Sequence, residues 1–361
     1  SDLEIAGVMA HEIAHVTARH ATQRAEREKT SELISRVSRT FQTTQRSEQV
    51  SEVSKRTLQS FTHAQEFEAD RIGVQTIGRA GFDPYGASRF LESLGRSTAL
   101  RAAMLGQRAA EGDIASSHPT TPERIKRAIA TARQIGAPGI GDAARDAWLS
   151  VIDGIEFGDD PAEGVIRGRR YSQARLGYEF TAPEGFVLEN TQQALLGLAG
   201  GGSEALRLDN VRVPAATPLE GYIASGWVEG LQRPSIQART INALPAAVAT
   251  AKSGEWHFRV ATLRVGGEVF RLIFAARALS EEVDRKFLGS IESFRRLPPE
   301  EVGKLRPNRL AVVNTSAGDT LDQLAARMAV ADRKREQFLL LNGLADASAF
   351  KAGERYKIVV E

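Results

Sequence analysis

The chain has 361 residues, a length that favours two or three domains, and its 42% hydrophobic and 25% charged residues are the balance of a globular protein. A net charge of +2 and an aromatic content of 6% exclude the large positive surface and the stacking platforms of nucleic-acid binding. There is no cysteine and no apolar run of about 18 residues, so disulfides and a membrane span within this sequence are excluded, and any metal must be held by histidine and carboxylate.

The first residues predict a helix. Leu3, Ile5 and Ala6 begin an apolar pattern of helical spacing almost directly after Ser1, and no signal sequence precedes it. We therefore expect residues 1–135 to form a mostly α-helical domain that is truncated at its N-terminus. A signal sequence or a lipid anchor is expected further upstream.

A metal-binding pattern lies inside this helix. The sequence His11-Glu12-Ile13-Ala14-His15 has the form H-E-x-x-H, in which two histidines four residues apart share one helix face and can bind one ion. The helix places the glutamate beside them, where a carboxylate can act as the general base of a metal-assisted hydrolysis. Three fixed positions in five also occur by chance, so the pattern alone is only suggestive.

A polar stretch and an acidic helix follow. The residues between Thr30 and Ser60 favour a solvated helix over a mobile flap. Glu66 and Asp70 share one face of the next predicted helix. Glu66 would complete a site of two histidines and one glutamate with its fourth position open to water, as in catalytic zinc sites. Asp70 would accept the free N–H of an imidazole ligand; the alternative is a solvated acidic cluster.

Two further signals complete the helical domain. In Phe82-Asp83-Pro84 the aspartate can cap a helix and the proline suits its first position, so a new helix is expected to run towards Gly95. His118 then lies between a serine and a proline, ahead of another helical stretch.

The sequence pattern changes after a connecting segment at residues 136–167. Alternating apolar residues and frequent turns predict a central α+β domain at residues 168–297. The Gly266-Gly267 pair between two apolar runs predicts a β-hairpin. Helices that pack on the sheet are expected within residues 218–231 and 281–294.

The last part of the chain predicts a small separate unit. Residues 298–308 begin with two prolines and are expected to form a linker. Residues 309–361 then show a strand, two helices and a closing strand, which is a βααβ arrangement.

Four motifs of the N-terminal domain resemble the family 48 metallopeptidases, the gluzincins of the HtpX and BepA-like periplasmic protease kind. They are H-E-x-x-H, "EFEADRIG", "AGFDP" and "SHPTTPERI", in this order. The resemblance covers roughly residues 3–132 and implies a zincin-type peptidase domain that holds one zinc ion. The zinc ligands that it implies are His11, His15 and Glu66.

The same resemblance implies roles for the residues around the zinc. Glu12 matches the general base, and Asp70 matches an aspartate that supports a ligand. His118 matches a histidine that either stabilises the oxyanion or occupies the open zinc position as a latch. Arg124 matches an arginine near the site, and a structural ion pair is the alternative. Since this family binds substrate along a strand upstream of the H-E-x-x-H helix, peptide binding is expected to need sequence ahead of Ser1.

Four other residues fit the site less well. Glu68 is two residues past Glu66 and faces elsewhere on the helix, so Glu66 is the better ligand. His63 shares the face of Glu66 but is expected to be neither a ligand nor its support. His20 lies five residues past the second histidine of the motif and is expected to point well away from it. His257 is expected to be an ordinary strand residue.

The other domains carry two resemblances. Residues 309–361 resemble a LysM module, which binds N-acetylglucosamine-containing glycans such as peptidoglycan; a structural or docking role is the alternative. The central domain weakly resembles the PsbP and Mog1 proteins.

Together these resemblances imply a zinc metalloendopeptidase of the bacterial periplasm or cell envelope that acts on misfolded or unassembled envelope polypeptides. The alternative is an envelope chaperone, an assembly factor or a peptidoglycan-associated protein whose zinc is structural or latched by His118. We expect no cofactor besides zinc and no nucleic-acid partner.

Overall fold

The computed structural model describes residues 1–26, 62–105, 118, 121–140, 144–191 and 193–361. The solvated helix predicted between Thr30 and Ser60 lies outside them. The described residues combine helices with β-sheets, which confirms the mixed α and β class. The chain divides into two compact units, Ser1–Arg101 with Arg108–Val151 and Ala102–Gln107 with Ile152–Glu361.

The first unit is helical where the structure describes it. The helices that begin in it are α1 (Asp2–Thr17), α2 (His63–Arg79), α3 (Gly86–Met104), α4 (Pro122–Arg133) and α5 (Arg145–Ile152). None of the described helices of the chain is long and apolar enough to cross a membrane.

Capping residues determine where the site helices begin. The Ser1 hydroxyl accepts the Glu4 N–H at the start of α1, and the Thr62 hydroxyl accepts the Gln65 N–H at the start of α2. In both helices a side-chain oxygen of the third residue accepts a hydrogen bond from the backbone nitrogen of the cap residue, so each cap is a full capping box. At the start of α4 the Thr121 hydroxyl accepts the Arg124 N–H, and proline occupies the first helical position.

Helix α3 extends further than its sequence predicts. It begins at Gly86, and the Asp83 carboxylate accepts the Tyr85 N–H just before it. The helix continues through Gly95 to Met104 instead of ending at that glycine. An isolated glycine costs a helix only about 1 kcal/mol, which burial of neighbouring apolar residues outweighs.

Small residues let α1 approach its neighbours closely. A Cβ on Gly73 of α2 would lie 3.1 Å from the backbone nitrogen of His11, and one on Gly86 of α3 would lie 2.3 Å from the carbonyl oxygen of Leu3. Helices α1 and α2 therefore meet almost backbone to backbone at the H-E-x-x-H segment, and α1 and α3 do so near the start of α1. The core that they share consists of Ala10, Val74, Ile77, Ala87, Leu91, Ala128 and Ala132.

The second unit contains a seven-stranded antiparallel sheet in the order β5-β6-β7-β11-β10-β9-β8. Its strands are β5 (Val187–Asn190), β6 (Leu195–Ala199), β7 (Glu204–Arg212), β8 (Gln237–Ile241), β9 (Leu244–Ser253), β10 (Trp256–Val265) and β11 (Glu268–Ala276). The predicted hairpin is present, because Val265 of β10 pairs with Glu268 of β11 and Gly266 adopts a positive φ in the turn.

Alternate residues of β9 belong to apolar clusters on the two faces of this sheet. Val248 belongs to one apolar cluster, which also contains Phe287 of helix α7 (Glu281–Glu292). Ala247 and Ala249 belong to a second cluster, with helix α6 (Leu219–Ile223). Both predicted helices are therefore found, although α6 is much shorter than residues 218–231.

A smaller sheet has the order β12-β4-β3-β2. Its strands are β2 (Val165–Arg167), β3 (Arg170–Gln173), β4 (Tyr178–Thr181) and β12 (Arg295–Arg296). Phe180 of β4 lies in the same apolar cluster as Phe287, so this sheet shares the core of the larger one.

The C-terminal residues form the predicted order of strand, two helices and strand. Strand β13 (Asn308–Asn314) pairs antiparallel with β14 (Arg355–Val360), with α9 (Leu321–Ala326) and α10 (Lys334–Leu341) between them. A short strand, β1 (Glu156–Phe157), adds to the other side of β13. The LysM resemblance of this unit stays a prediction, as do the boundaries of the five predicted segments.

Two predicted connections contain regular structure. The segment at residues 136–167 includes α5, β1 and β2, and the linker at residues 298–308 includes the short helix α8 (Pro299–Val302). Neither segment is a plain linker along its whole length.

Candidate metal centre

Four side chains of the first unit bring their donor atoms together. His11 and His15 lie on α1, Glu66 lies on α2, and His118 lies ahead of α4. One donor atom of each lies within 4.8 Å of the donor atoms of the other three. Glu66 is completely buried, although it carries a carboxylate. The structure therefore brings together the three zinc ligands that the family resemblance implies. His118 contributes a fourth donor atom to the same cluster.

The separations within this cluster suit a tetrahedral ion. The Nε2 atoms of His11 and His15 are 3.0 Å apart, and each lies 3.5 Å from an oxygen of Glu66. His118 Nδ1 lies 2.9 Å from Glu66 Oε1 and 3.5 Å from His11 Nε2. Zinc bonds of 2.0–2.1 Å in a tetrahedron place neighbouring donors about 3.3 Å apart. The donor set and its spacing therefore fit zinc.

The Glu66 carboxylate has capacity left for a cation. Among the described residues, its buried Oε2 accepts no hydrogen bond of good geometry and is balanced by Arg124, whose Nη1 lies 2.7 Å away. Burying a carboxylate is costly unless its charge is paired. A metal cation among these donors would add to the pairing that Arg124 provides.

Asp70 and Arg124 support the cluster from behind. Asp70 Oδ1 lies 2.9 Å from His11 Nδ1, as expected of a carboxylate that orients a ligand imidazole. Arg124 is only 2% exposed and donates from Nε and Nη2 to the two oxygens of Asp70, at 2.8 Å each. The third nitrogen of Arg124 contacts Glu66. The arginine therefore links the predicted ligand Glu66 to Asp70, which supports the predicted ligand His11.

Burial and charge set the protonation of these groups. Burial, together with the neighbouring His11, lowers the pKa of His15 to about 4, so its imidazole is neutral and able to bind a metal at neutral pH. Burial alone would raise the pKa of Glu66, but the hydrogen bond from His118 and the charge of Arg124 hold it below the usual range. The same hydrogen bond raises the pKa of His118.

Glu12 faces a cavity next to the cluster. The cavity has a volume of about 240 Å³, and Glu12 shares its lining with His11 and His118. The glutamate is exposed, whereas the next helical turn carries the buried His15. The apolar wall of the cavity consists of Val8, Phe90, Leu91 and Leu94.

The structure corrects the prediction for His20. This side chain does not point away from His15: it is completely buried, and its Nδ1 lies 2.9 Å from His15 Nδ1. The helical wheel fails because α1 ends at Thr17 and Arg19 adopts a left-handed φ of 55°, which turns the chain back. Glu68 faces away from the metal ligands as predicted, but its Oε2 lies 3.3 Å from His20 Nε2.

The two remaining histidines lie apart from the cluster. His63 is exposed in the first turn of α2, with its ring 6.4 Å from that of Phe67. His257 lies in β10 of the second unit, opposite Lys252 and Ala276 of the neighbouring strands. Their positions agree with the minor roles predicted for them.

A helical domain with two α1 histidines and one α2 glutamate around a single point is the arrangement of a metallopeptidase. Residues 1–132 match the model of peptidase family M48. The resemblance to the family 48 metallopeptidases is therefore confirmed for this part of the chain.

Curated relatives agree with this family. The chain is 32% identical over 195 residues to the beta-barrel assembly-enhancing protease of Escherichia coli K12, an alignment that covers 48% of this chain and 38% of the relative. It is 35% identical over 104 residues to the protein of the same name from Yersinia pestis, covering 26% of this chain and 21% of that one. The chain thus spans about two fifths of the length of the first relative.

Two solved structures show only distant similarity. One, from Bacteroides thetaiotaomicron, has a TM-score of 0.30 at 12% identity and covers 40% of this chain and 53% of its own. The other, the cyanobacterial PsbP of Synechocystis, has a TM-score of 0.27 at 16% identity and covers 39% and 98%. Scores this low do not establish a common fold, so the PsbP and Mog1 resemblance stays a prediction.

Proposed function

We propose that the chain is a zinc-dependent metalloendopeptidase whose ligands are His11, His15 and Glu66. The observation that carries the proposal is the convergence of their donor atoms, with that of His118, to within 4.8 Å of one another. The family match over residues 1–132 supports the same class of reaction.

The residues of the cluster divide the chemistry between them. Zinc held there would activate a water molecule and polarise the carbonyl of the scissile peptide. Glu12 faces the cavity beside the ligands, accepts the proton of the attacking water and returns it to the leaving nitrogen. Asp70 keeps the His11 imidazole in one orientation, and Arg124 keeps Asp70 and Glu66 charged.

We infer that His118 can act as a latch. Its Nδ1 donates a hydrogen bond to Glu66 Oε1, 2.9 Å away. With that proton released, the same nitrogen would offer its lone pair in the position that a catalytic site leaves for water. The alternative is stabilisation of the oxyanion, which requires His118 to leave Glu66. A latch predicts faster peptide hydrolysis by His118→Ala, and oxyanion stabilisation predicts slower hydrolysis.

We propose a role in quality control of envelope proteins, with misfolded or unassembled polypeptides as substrates. The support is the name of the Escherichia coli relative, a beta-barrel assembly-enhancing protease, together with its 32% identity. The proposed location is the bacterial periplasm or cell envelope, with lipid anchoring as a further proposal. Residues 309–361 have the strand and helix order expected of a LysM-like module, and we propose peptidoglycan as their ligand.

One observation favours a second function. With His118 the cluster has four protein donors, and a closed set of four is the arrangement of structural zinc. A chaperone, assembly factor or peptidoglycan-associated protein with a latched zinc is therefore the alternative.

Hydrolysis of casein and of an unfolded β-barrel membrane protein separates the two functions. The peptidase requires zinc-dependent cleavage that Glu12→Gln removes while one zinc per chain is retained. Equal cleavage by the wild-type protein and Glu12→Gln would contradict the role of Glu12. Tight zinc binding without any cleavage, by either the wild-type protein or His118→Ala, would favour the second function.

A further inference from the structure

A second imidazole stands behind the ligand His15. Helix α1 ends at Thr17, and the left-handed residue Arg19 turns the chain so that His20 returns against the helix. His20 is completely buried, and its Nδ1 lies 2.9 Å from His15 Nδ1. This contact is on the side of the His15 ring opposite the atom that joins the metal cluster.

The contact allows a single arrangement of protons when His15 binds a metal. Its Nε2 is the clustered atom, 3.0 Å from His11 Nε2, so this nitrogen must offer its lone pair and the proton must be on Nδ1. His20 Nδ1 must then accept that proton's hydrogen bond. The proton of His20 is therefore on Nε2, where Glu68 Oε2 lies 3.3 Å away to accept it.

We propose that His20 and Glu68 are positioning residues for the zinc ligand His15, joined to it as a relay of carboxylate, imidazole and imidazole. The proposal rests on the proposed zinc-dependent function. Hydrogen bonds to the far nitrogen of a ligand imidazole fix its tautomer and rotation and increase its basicity. In this relay, metal binding at His15 is stabilised by a carboxylate that does not touch the ligand itself.

The two ligand histidines differ in how they are supported. His11 has Asp70 directly behind it, and Arg124 locks that carboxylate in a buried site. His15 has a neutral ring in between, and Glu68 at the end of its relay is 49% exposed. The support of His11 is therefore rigid, while that of His15 ends at the surface of the unit.

The alternative is a buried histidine that only fills space in the core. Two substitutions of His20 distinguish these roles, because leucine and asparagine have nearly the same shape but differ in hydrogen-bonding capacity. In His20→Asn the side-chain oxygen can accept the His15 N–H, whereas His20→Leu offers no acceptor. A space-filling role predicts similar zinc binding by both variants.

The experiment measures the zinc dissociation constant of the full 361-residue chain by competition with a chelator. The variants are His20→Leu, His20→Asn and Glu68→Gln, with His63→Leu as the matched control, because His63 is an exposed histidine of α2 outside the metal cluster. Removing such a support typically costs about 10–100-fold in metal affinity. We expect that loss for His20→Leu, recovery of most of it by His20→Asn, a smaller loss for Glu68→Gln, and no change for the control.

Cobalt provides a second readout that a space-filling role would not change. The visible d–d absorption of the Co²⁺-loaded chain reports the ligand field of the imidazoles, and we expect it to shift in His20→Leu and to return towards wild type in His20→Asn. Equal zinc affinity of His20→Leu and wild type would overturn the proposal. Equal losses in His20→Leu and His20→Asn, with both spectra at the wild-type position, would also overturn it.

The proposed function can fail separately. If His15→Ala loses zinc while His20→Leu and Glu68→Gln bind it as the wild type does, the relay is wrong and the zinc site stands. If the wild-type chain binds no zinc, the proposed function and the relay are both wrong.

Discussion

Replacing Arg124 by methionine tests the electrostatics of the cluster. Arg124 is 2% exposed and contacts two buried carboxylates, Asp70 through Nε and Nη2 at 2.8 Å and Glu66 through Nη1 at 2.7 Å. Methionine keeps much of the side-chain volume but leaves both carboxylates without their cation. Breaking a buried ion pair from one side costs about 3–5 kcal/mol.

The loss of stability caused by Arg124→Met is expected to depend on pH. Asp70 and Glu66 both have pKa values below the usual range in the folded chain, so the stability they contribute is present at neutral pH and is lost as the pH falls through those values. Arg124→Met removes the part of that contribution that Arg124 makes, while the contacts of His118 and His11 remain. The difference in stability between wild type and variant is therefore largest near neutral pH and decreases in acid.

The assay is thermal unfolding of the metal-free chain, followed by far-ultraviolet circular dichroism. For a unit of this size, 3–5 kcal/mol corresponds to a decrease in Tm of roughly 6–20 °C at pH 7. Arg127→Met on the same helix is the matched control, because Arg127 is 57% exposed and pairs with the exposed Glu123. Its cost is expected to stay below about 1 kcal/mol. A decrease in Tm for Arg124→Met no larger than for the control, or one that persists unchanged in acid, would refute the reasoning.

Three further predictions concern other parts of the chain. Gly86→Ala places a Cβ 2.3 Å from the Leu3 carbonyl oxygen and should lower the free energy of unfolding of the first unit by about 1–3 kcal/mol in urea titrations. The pKa of His15 is about 4 in the folded chain and 6.5 in the unfolded one, so metal-free stability should fall by up to about 3 kcal/mol as the pH decreases through this window; His15→Gln should show a smaller slope. Phe338→Ala empties a completely buried position and should cost the C-terminal residues about 3–5 kcal/mol, measured by hydrogen exchange, while zinc stoichiometry remains unchanged.

Sequence spacing predicted the parts of the site that lie within single helices. His11 and His15 share α1, and Glu66 and Asp70 share α2, so residues four apart on the printed sequence are neighbours in the structure. The aspartate of Phe82-Asp83-Pro84 likewise indicated the start of α3, which begins two residues after Pro84, because a cap involves only residues close in sequence.

The same rule failed where a helix ended. The prediction for His20 continued the turn of α1 past Thr17, and nothing in the local pattern indicated that Arg19, a non-glycine residue, would adopt a left-handed conformation. The contact of His20 with Glu68 joins residues 48 apart in sequence and was missed for that reason. The sequence did offer one signal, which is a histidine only five residues past a predicted ligand.

The proximity of His118 and Arg124 to α2 was predicted only through the family resemblance. His118 is 52 residues from Glu66, and Arg124 is 54 residues from Asp70. Helical spacing gives no information on such pairs, because their proximity depends on how α4 packs against α2. The roles of these residues therefore depended on recognising "SHPTTPERI" and not on geometry.

The pairing of β1 with β13 affects how the C-terminal residues can be studied alone. Leu310 N–H donates to the Ile155 carbonyl, and Gly154 N–H donates to the Leu310 carbonyl, across about 150 residues of intervening chain. The edge strand β1 of this small sheet therefore comes from a segment that precedes the central domain in the sequence. A fragment that begins at residue 309 would present the side of β13 uncovered, and an uncovered strand edge promotes self-association. Self-association of such a fragment on a glycan surface would then resemble glycan binding. A glycan-binding assay should therefore use a fragment that contains residues 153–361.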